Sequence, residues 1–177
     1  DTSFYLKPED QHRFAELFQH VGDQLVWAQE PPYKTQIYGD TGLLSTASDF
    51  IRFLQMLLGK GGFGGRQLLT ERSVNEMLCD QIAPLTVEAQ VSAMPDHSKT
   101  FPKEAGQDGF GYGFQVRKNA EKGLRAPGSG SWAGVFNTYF WVDPANDIAA
   151  VLLMQVLPFY DDRCLNVLSH FEKVIYA

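Results

Sequence analysis

The spacing of apolar residues changes along the chain, and the change divides it into two parts. From Ala47 to Leu58, Phe50, Ile51, Leu54, Leu57 and Leu58 recur every three or four positions, the stripe of an amphipathic helix. Thr46 precedes it as an N-cap with Asp49 three residues on, and Gly59 with Gly61-Gly62 stops it. A second helix is expected after Thr70, with Val74, Met77 and Leu78 facing inward. Nearer the start, Phe14, Leu17 and Phe18 share helical spacing and predict a short helix from Pro8 to about His20, ending near Gly22. Gln24 to Gln29 reads as a short strand ended by Pro31-Pro32.

From Gly109 the period falls to two. The run Gly111 to Val116 predicts a strand with Tyr112, Phe114 and Val116 on one face, its glycines marking close backbone approach. Val135 to Val142 is rich in aromatic and β-branched residues, Asp143-Pro144-Ala145-Asn146-Asp147 is a turn, and Ile148 to Gln155 is a second apolar strand, so the three form a hairpin. A helix from about Asp161 to Tyr176 closes the chain, with Leu165, Leu168, Phe171, Val174 and Ile175 on its apolar face. Residues 80–108, with Pro84, Pro95 and Pro102 and no sustained pattern, read as a long surface excursion, a kind of segment that is often functional. The expected class is α+β: helices first, then an antiparallel sheet, then a terminal helix packed on it.

Composition adjusts this picture only slightly. A length of 177 residues is enough for one proper core. The formal net charge of −6, with the basic residues scattered, argues against a nucleic-acid partner. No apolar run approaches the roughly 20 residues of a membrane helix, so no membrane span is expected. No basic-then-apolar leader opens the chain, which starts at Asp1 without a methionine; processing, truncation or a fragment would each explain that start. Cys79 and Cys164 occupy apolar-looking helical positions and read as buried free thiols. His12, His20, His97 and His170 lie far apart without ligand spacing, and neither a metal nor any other cofactor is expected.

The candidate chemistry lies in Pro127-Gly128-Ser129-Gly130-Ser131-Trp132-Ala133-Gly134. Small residues let a ligand approach the backbone, and exposed amides there could hold an oxyanion. The alternative on these residues alone is a glycine-rich turn leading into the hairpin. No Gly-Lys-Ser/Thr follows, which excludes a phosphate loop, and no Gly-x-Ser-x-Gly runs through Ser129 or Ser131, which excludes a nucleophile elbow.

Together with its flanks the segment is more specific. Trp132-Ala133-Gly134 followed by Tyr139-Phe140-Trp141-Val142-Asp143-Pro144 resembles the closing region of serine β-lactamase-related, penicillin-binding-protein-like esterases. Gly39-Asp40-Thr41-Gly42-Leu43-Leu44-Ser45-Thr46-Ala47-Ser48-Asp49-Phe50 is similar to the helix entry of the same family, Gly109-Phe110-Gly111-Tyr112-Gly113-Phe114 to one of its strands, and Asp1-Thr2-Ser3-Phe4 to the stretch that follows its Leu-Gly-Met. Four motifs in order span almost the whole chain. The resemblance implies the C-terminal portion of a single β-lactamase/transpeptidase-like domain over residues 1–177, with mostly helices and loops in 1–108 and sheet strands plus the last helix in 109–177.

The resemblance also implies roles. The family's third active-site element would fall on Ser129, Gly130 and Ser131, or on Trp132, Ala133 and Gly134 in the esterase branch. A backbone amide there, that of Trp132 foremost, would supply half of an oxyanion hole, while its indole would line the pocket; a core aromatic beneath the sheet is the other reading of that side chain. Ser129 stands where the lysine of a Lys-Thr-Gly element would be, which shifts the expected substrate from a β-lactam to a small ester or amide. The family's nucleophile is the Ser of Ser-x-x-Lys, but no serine in these 177 residues is followed three positions on by lysine, and no tyrosine begins a Tyr-x-Asn. A serine hydrolase acting through an acyl-enzyme, with this chain supplying the pocket half, is therefore expected. A non-catalytic binding protein of the same fold is the alternative. Because the family sets further strands beside the last one, Ile148 to Gln155 would present an open edge, implying a homodimer or swapped assembly there.

Overall fold

The computed structural model describes residues 1–28, 39 and 42–177. Helix α1, Ala47–Leu58, has the bounds its stripe predicts, and the Thr46 hydroxyl accepts from the Asp49 amide at 3.2 Å. That bond satisfies one of the orphan donors of the first turn, where the Asp49 carboxylate also favours the helix dipole. Leu54 and Leu57 are fully buried, each worth about 1.5–3 kcal/mol over an exposed position. Helix α2, Glu71–Met77, is capped in the same way by Thr70 and buries Val74.

The second part holds a five-stranded antiparallel sheet. Its strands are β5 (Gly109–Phe110), β6 (Gln115–Val116), β7 (Gly130–Gly134), β8 (Thr138–Asp143) and β9 (Ile148–Leu152), in that spatial order. Alternation along β8 sends Phe140 and Val142 to one face, where they pack with Leu54, Met56, Leu57, Val74 and Phe114 beneath α1 and α2. Tyr139 and Trp141 take the other face, under helix α3 (Asp162–Ile175), where Tyr139 joins Tyr160 and Leu165, and Trp141 meets Phe171 edge-on at 5.7 Å. The sheet is thus covered by helices on both faces, the mixed α+β arrangement expected.

Three local expectations change. Residues 8–20 are not one helix: a single 3-10 turn spans Pro8–Arg13, and strand β1 occupies Phe18–Val21. β1 hairpins onto β2 (Gln24–Trp27) through Gly22-Asp23, where Gly22 takes φ +58°, and it pairs in parallel with β10 (Val156–Leu157). The small β3–β4 hairpin (Gly62–Phe63, Arg66–Gln67) adds two further short strands to residues 1–108. The run Gly111 to Val116 is not one strand. It turns between β5 and β6, with Gly113 at φ +86°, which exposes Tyr112 and buries Phe114 and Val116. Cys79 is exposed just beyond α2, whereas Cys164 in α3 is buried as expected. Residues 31 and 32, the proposed end of the early strand, lie outside the described residues.

Candidate active-site strand

The glycine-rich segment is a strand, and each of its residues has a distinct placement. Ser129, just before β7, is fully buried, and its hydroxyl donates to the Ala126 carbonyl at 2.6 Å. It therefore faces the interior, neither a cation nor an available nucleophile. Gly130 lies against Leu78 and Phe114, so the strand approaches that core at backbone distance. Ser131 and Ala133 turn their side chains toward the α3 face, opposite Trp141 and Tyr139. Gly134 ends the strand and accepts a bond from the Asn137 amide at 3.0 Å.

Asn137, which sequence reading passed over, fixes that end. It is fully buried at φ +61°, a conformation asparagine tolerates better than most residues. Its amide nitrogen donates to the carbonyls of Val156 and Pro158, both at 2.8 Å. Its oxygen accepts from the Tyr139 hydroxyl at 2.6 Å and the Tyr160 amide at 2.9 Å. Every hydrogen-bonding position of the side chain is filled, so the β7–β8 turn is held to residues 156–160.

Ladder geometry then decides which amide is free. In an antiparallel ladder, successive residues point their N–H and C=O groups to opposite sides. Ser129 gives its carbonyl to the Arg117 amide on the β6 side, and Gly134 gives its own to the β8 side. Between these anchors, Ser131 and Ala133 point toward β6, while Trp132 points toward Phe140 of β8. The Trp132 amide, the expected oxyanion donor, is thus used inside the sheet. β6 begins only at Gln115, opposite Ser131, because residues 111–114 turn back into β5. Beyond Ser131, β7 has no neighbouring strand on that side among the described residues, and the amide of Ala133 faces that edge.

The Trp132 ring belongs to neither core cluster. It is half-buried at that edge, meeting Phe101 at 5.3 Å and Phe110 at 5.2 Å, both nearly perpendicular. Such edge-to-face pairs are worth about 0.5–1.5 kcal/mol beyond burial. Phe101 and Phe110 carried no local signal that would have assigned them to the site. A cavity of about 50 Å³ adjoins the strand, lined by Phe101, Glu104, Gln115, Arg125, Ser131 and Trp132 among others, with no lysine among the described residues of its wall. Arg125 is engaged with Glu172 at 3.3 Å and lies over the Trp141 ring. Burial, and then the neighbouring Glu104, pushes the Tyr160 phenol up to about 12, and burial raises Tyr139 as well. Both phenols keep their protons at neutral pH, so neither is poised as a base.

Comparison with known proteins fits this arrangement. The family model described as Beta-lactamase matches residues 1–172. The chain belongs to the beta-lactamase family. Protein Rv1367c of Mycobacterium tuberculosis is 32% identical over 168 residues, covering 89% of this chain and 40% of its own length. The chain thus spans well under half of the curated relatives it matches. Among solved structures, unliganded simvastatin synthase (LovD) from Aspergillus terreus superposes over the whole chain and 46% of its own, with a TM-score of 0.80 at 20% identity. EstCE1, described as a hydrolase with promiscuous acyltransferase activity, covers 99% of the chain and 46% of its own, with a TM-score of 0.71 at 17% identity. At those identities the two structures establish the fold, a β-lactamase/transpeptidase-like arrangement, and that alone. Among the described residues, no helix is long and apolar enough to cross a membrane.

Proposed function

We propose that this chain is the pocket and oxyanion half of a serine hydrolase that acts on small esters or amides through an acyl-enzyme. The observation that carries this is the edge of β7 beyond Ser131, where the register turns the Ala133 amide toward a side on which no strand pairs among the described residues, next to the Trp132 ring. The site would comprise Gly130 to Gly134, with Ser129 as its buried support in place of a substrate-binding lysine. The nucleophile would come from a Ser-x-x-Lys segment, which these 177 residues do not contain. Its serine oxygen would bond to the acyl carbon and pass its proton to the leaving group. The carbonyl oxygen, negative in the tetrahedral stage, would accept from the Ala133 amide. Water would then release the acid by the same route. In the cavity wall Arg125 is held by Glu172 and Glu104 adds a negative charge, which favours a neutral substrate over one carrying a carboxylate.

The missing Ser-x-x-Lys also supports a second reading, a binding protein that keeps the pocket without the chemistry. Hydrolysis of a chromogenic short-chain ester separates the two when this chain is assayed alone and as part of a polypeptide that adds a Ser-x-x-Lys helix. Activity only in the longer protein supports the hydrolase; activity in neither favours the binding protein. We propose as well that β9, the outermost strand on its side of the sheet, pairs through its edge with a second copy of the chain.

A further inference from the structure

The cavity beside β7 carries polar groups that the fold leaves unengaged. Gln115 is 6% exposed, and its amide nitrogen donates to Asp108 at 2.8 Å. A carboxylate takes only a donor, so that bond sets the Gln115 oxygen Oε1 on the opposite side of the amide. Gln115 lines the cavity, and its Oε1 accepts nothing among the described residues. Ser131 stands opposite Gln115 in the β6–β7 ladder and lines the same space, and its hydroxyl is equally unengaged there. Glu104 adds to the wall a carboxylate that makes neither hydrogen bond nor ion pair among the described residues.

The other charge in the wall is already answered. The Arg125 Nε lies 3.3 Å from Glu172 Oε1, which also accepts the Arg125 amide at 3.2 Å. What remains uncompensated is negative. Phe101, Trp132 and Tyr160 contribute aromatic rings to the same wall, and the faces of such rings attract cations. Acceptors left without a donor cost free energy, which a ligand carrying several N–H groups would restore. Among the described residues no three His, Cys, Asp or Glu side chains are grouped to hold a metal ion, so the cation this wall fits is an organic one. At about 50 Å³ the space admits roughly two non-hydrogen atoms, with a water in the liquid taking about 30 Å³. A methylammonium-sized head, with three N–H donors for three acceptors, matches it in size, charge and donor count.

We infer that this cavity binds the primary ammonium group of a small amine, with Glu104 as its counter-ion and Gln115 Oε1 and Ser131 Oγ as its further acceptors. Glu104, Ser131 and Trp132 are only part-buried, so the space reaches the surface. The group can arrive as a free amine or at the end of a larger molecule. The site itself goes beyond the functional reading above; only the second source rests on that reading, as an ester or amide whose acid side carries the ammonium.

The test is a titration of the 177-residue chain, followed by the Trp132 indole N–H signal in nitrogen-correlated NMR spectra and assigned by its loss in Trp132→Phe. The probes are methylammonium, tetramethylammonium at equal ionic strength, β-alanine ethyl ester, and ethyl butyrate as the uncharged isostere of that ester. Methylammonium is expected to move the signal with a Kd on the order of 10 mM, as befits two heavy atoms. Tetramethylammonium has the charge without the size or the N–H groups and should leave the signal in place. Glu104→Gln, which keeps the shape, is expected to weaken methylammonium about tenfold, and Ser131→Ala severalfold, with melting temperatures certifying that both variants fold. β-Alanine ethyl ester should bind about tenfold more tightly than ethyl butyrate in wild type and no more tightly in Glu104→Gln, which assigns the ammonium to a substrate. If methylammonium binds in this Glu104-dependent way but the charged ester has no advantage, the site stands and its occupant is a free amine. If it binds so and neither ester does, the site stands while the functional reading falls. No response to methylammonium, an equal response to tetramethylammonium, or binding unchanged in Glu104→Gln overturns the inference and leaves the cavity to water.

Discussion

The hydroxyl of Tyr176 donates to the fully buried carboxylate of Asp143 at 2.9 Å, joining the end of α3 to the end of β8. The same hydroxyl accepts from the Trp141 indole at 3.1 Å. Asp143 also receives the Asn146 side chain and the Ala126 amide. One carboxylate thus gathers the β8–β9 turn, the approach to β7 and the terminal helix.

Burial alone would raise the Asp143 carboxyl, but the bonds from Asn146, Ala126 and Tyr176 outweigh it and hold the group below 3.8. A carboxyl depressed in the folded state stabilises fully above its unfolded value, and that contribution is lost as pH falls through the folded one. Asp143→Asn is expected to cost about 1–3 kcal/mol at pH 7 in urea unfolding. The gap between variant and wild type should shrink as the pH is lowered below 3.8. A gap constant from neutral to acid would show that the charge of Asp143 contributes nothing.

The two thiols should differ sharply in reactivity. Burial, and then the neighbouring Asp161, pushes Cys164 up to about 11, while Cys79 is exposed. Reagents attack the thiolate. Ellman's reagent at pH 8 is therefore expected to titrate one thiol per folded chain quickly and the second only after denaturant is added, with Cys79→Ser abolishing the fast phase.

Ala133→Pro removes the amide assigned to the oxyanion without touching the bonds to β8, since that amide points away from β8. In a polypeptide that includes the Ser-x-x-Lys helix, hydrolysis is expected to fall about 10²–10³-fold in kcat while the melting temperature changes little. Equal turnover by variant and wild type would move the donor elsewhere on the strand.

Pairing through β9 should be visible in the mass in solution. Light scattering behind size exclusion is expected to give a dimer, and Leu153→Lys, a charge placed on an exposed residue just beyond the strand, should dissociate it. A monodisperse monomer across the concentration range would sink the proposal.

How much of this was legible depends on how local the signal is. The α1 helix could be read to its last residue because its cap, stripe and stop all lie within the segment itself. The β8–β9 hairpin was equally plain, with its turn chemistry between two apolar runs. The hairpin of β1 and β2 was lost because Phe14, Leu17 and Phe18 mimic a helical face, while the real partner of β1 is Val156–Leu157, far along the chain. The candidate strand was picked out through the family resemblance, but the side to which each of its amides points was not. That depends on where β6 begins, a matter of the turn at residues 111–114. Phe101 and Asn137 act through contacts with distant segments, and nothing in their neighbours foretells them.

In the function proposed above, the open edge of β7 offers main chain, not side chain, to what it binds. Every amino acid except proline brings the same N–H to that place. Such a recognition element is indifferent to many mutations: Ser131, Trp132 and Ala133 can drift as long as the strand keeps its register, whereas Gly130, set against Leu78 and Phe114, cannot grow. Selection there acts on what holds the ladder in step, on Asn137 and the buried hydroxyl of Ser129, more than on the residues closest to the ligand. A lineage could therefore exchange the ligand it accepts while the backbone contact that grips it is inherited unchanged.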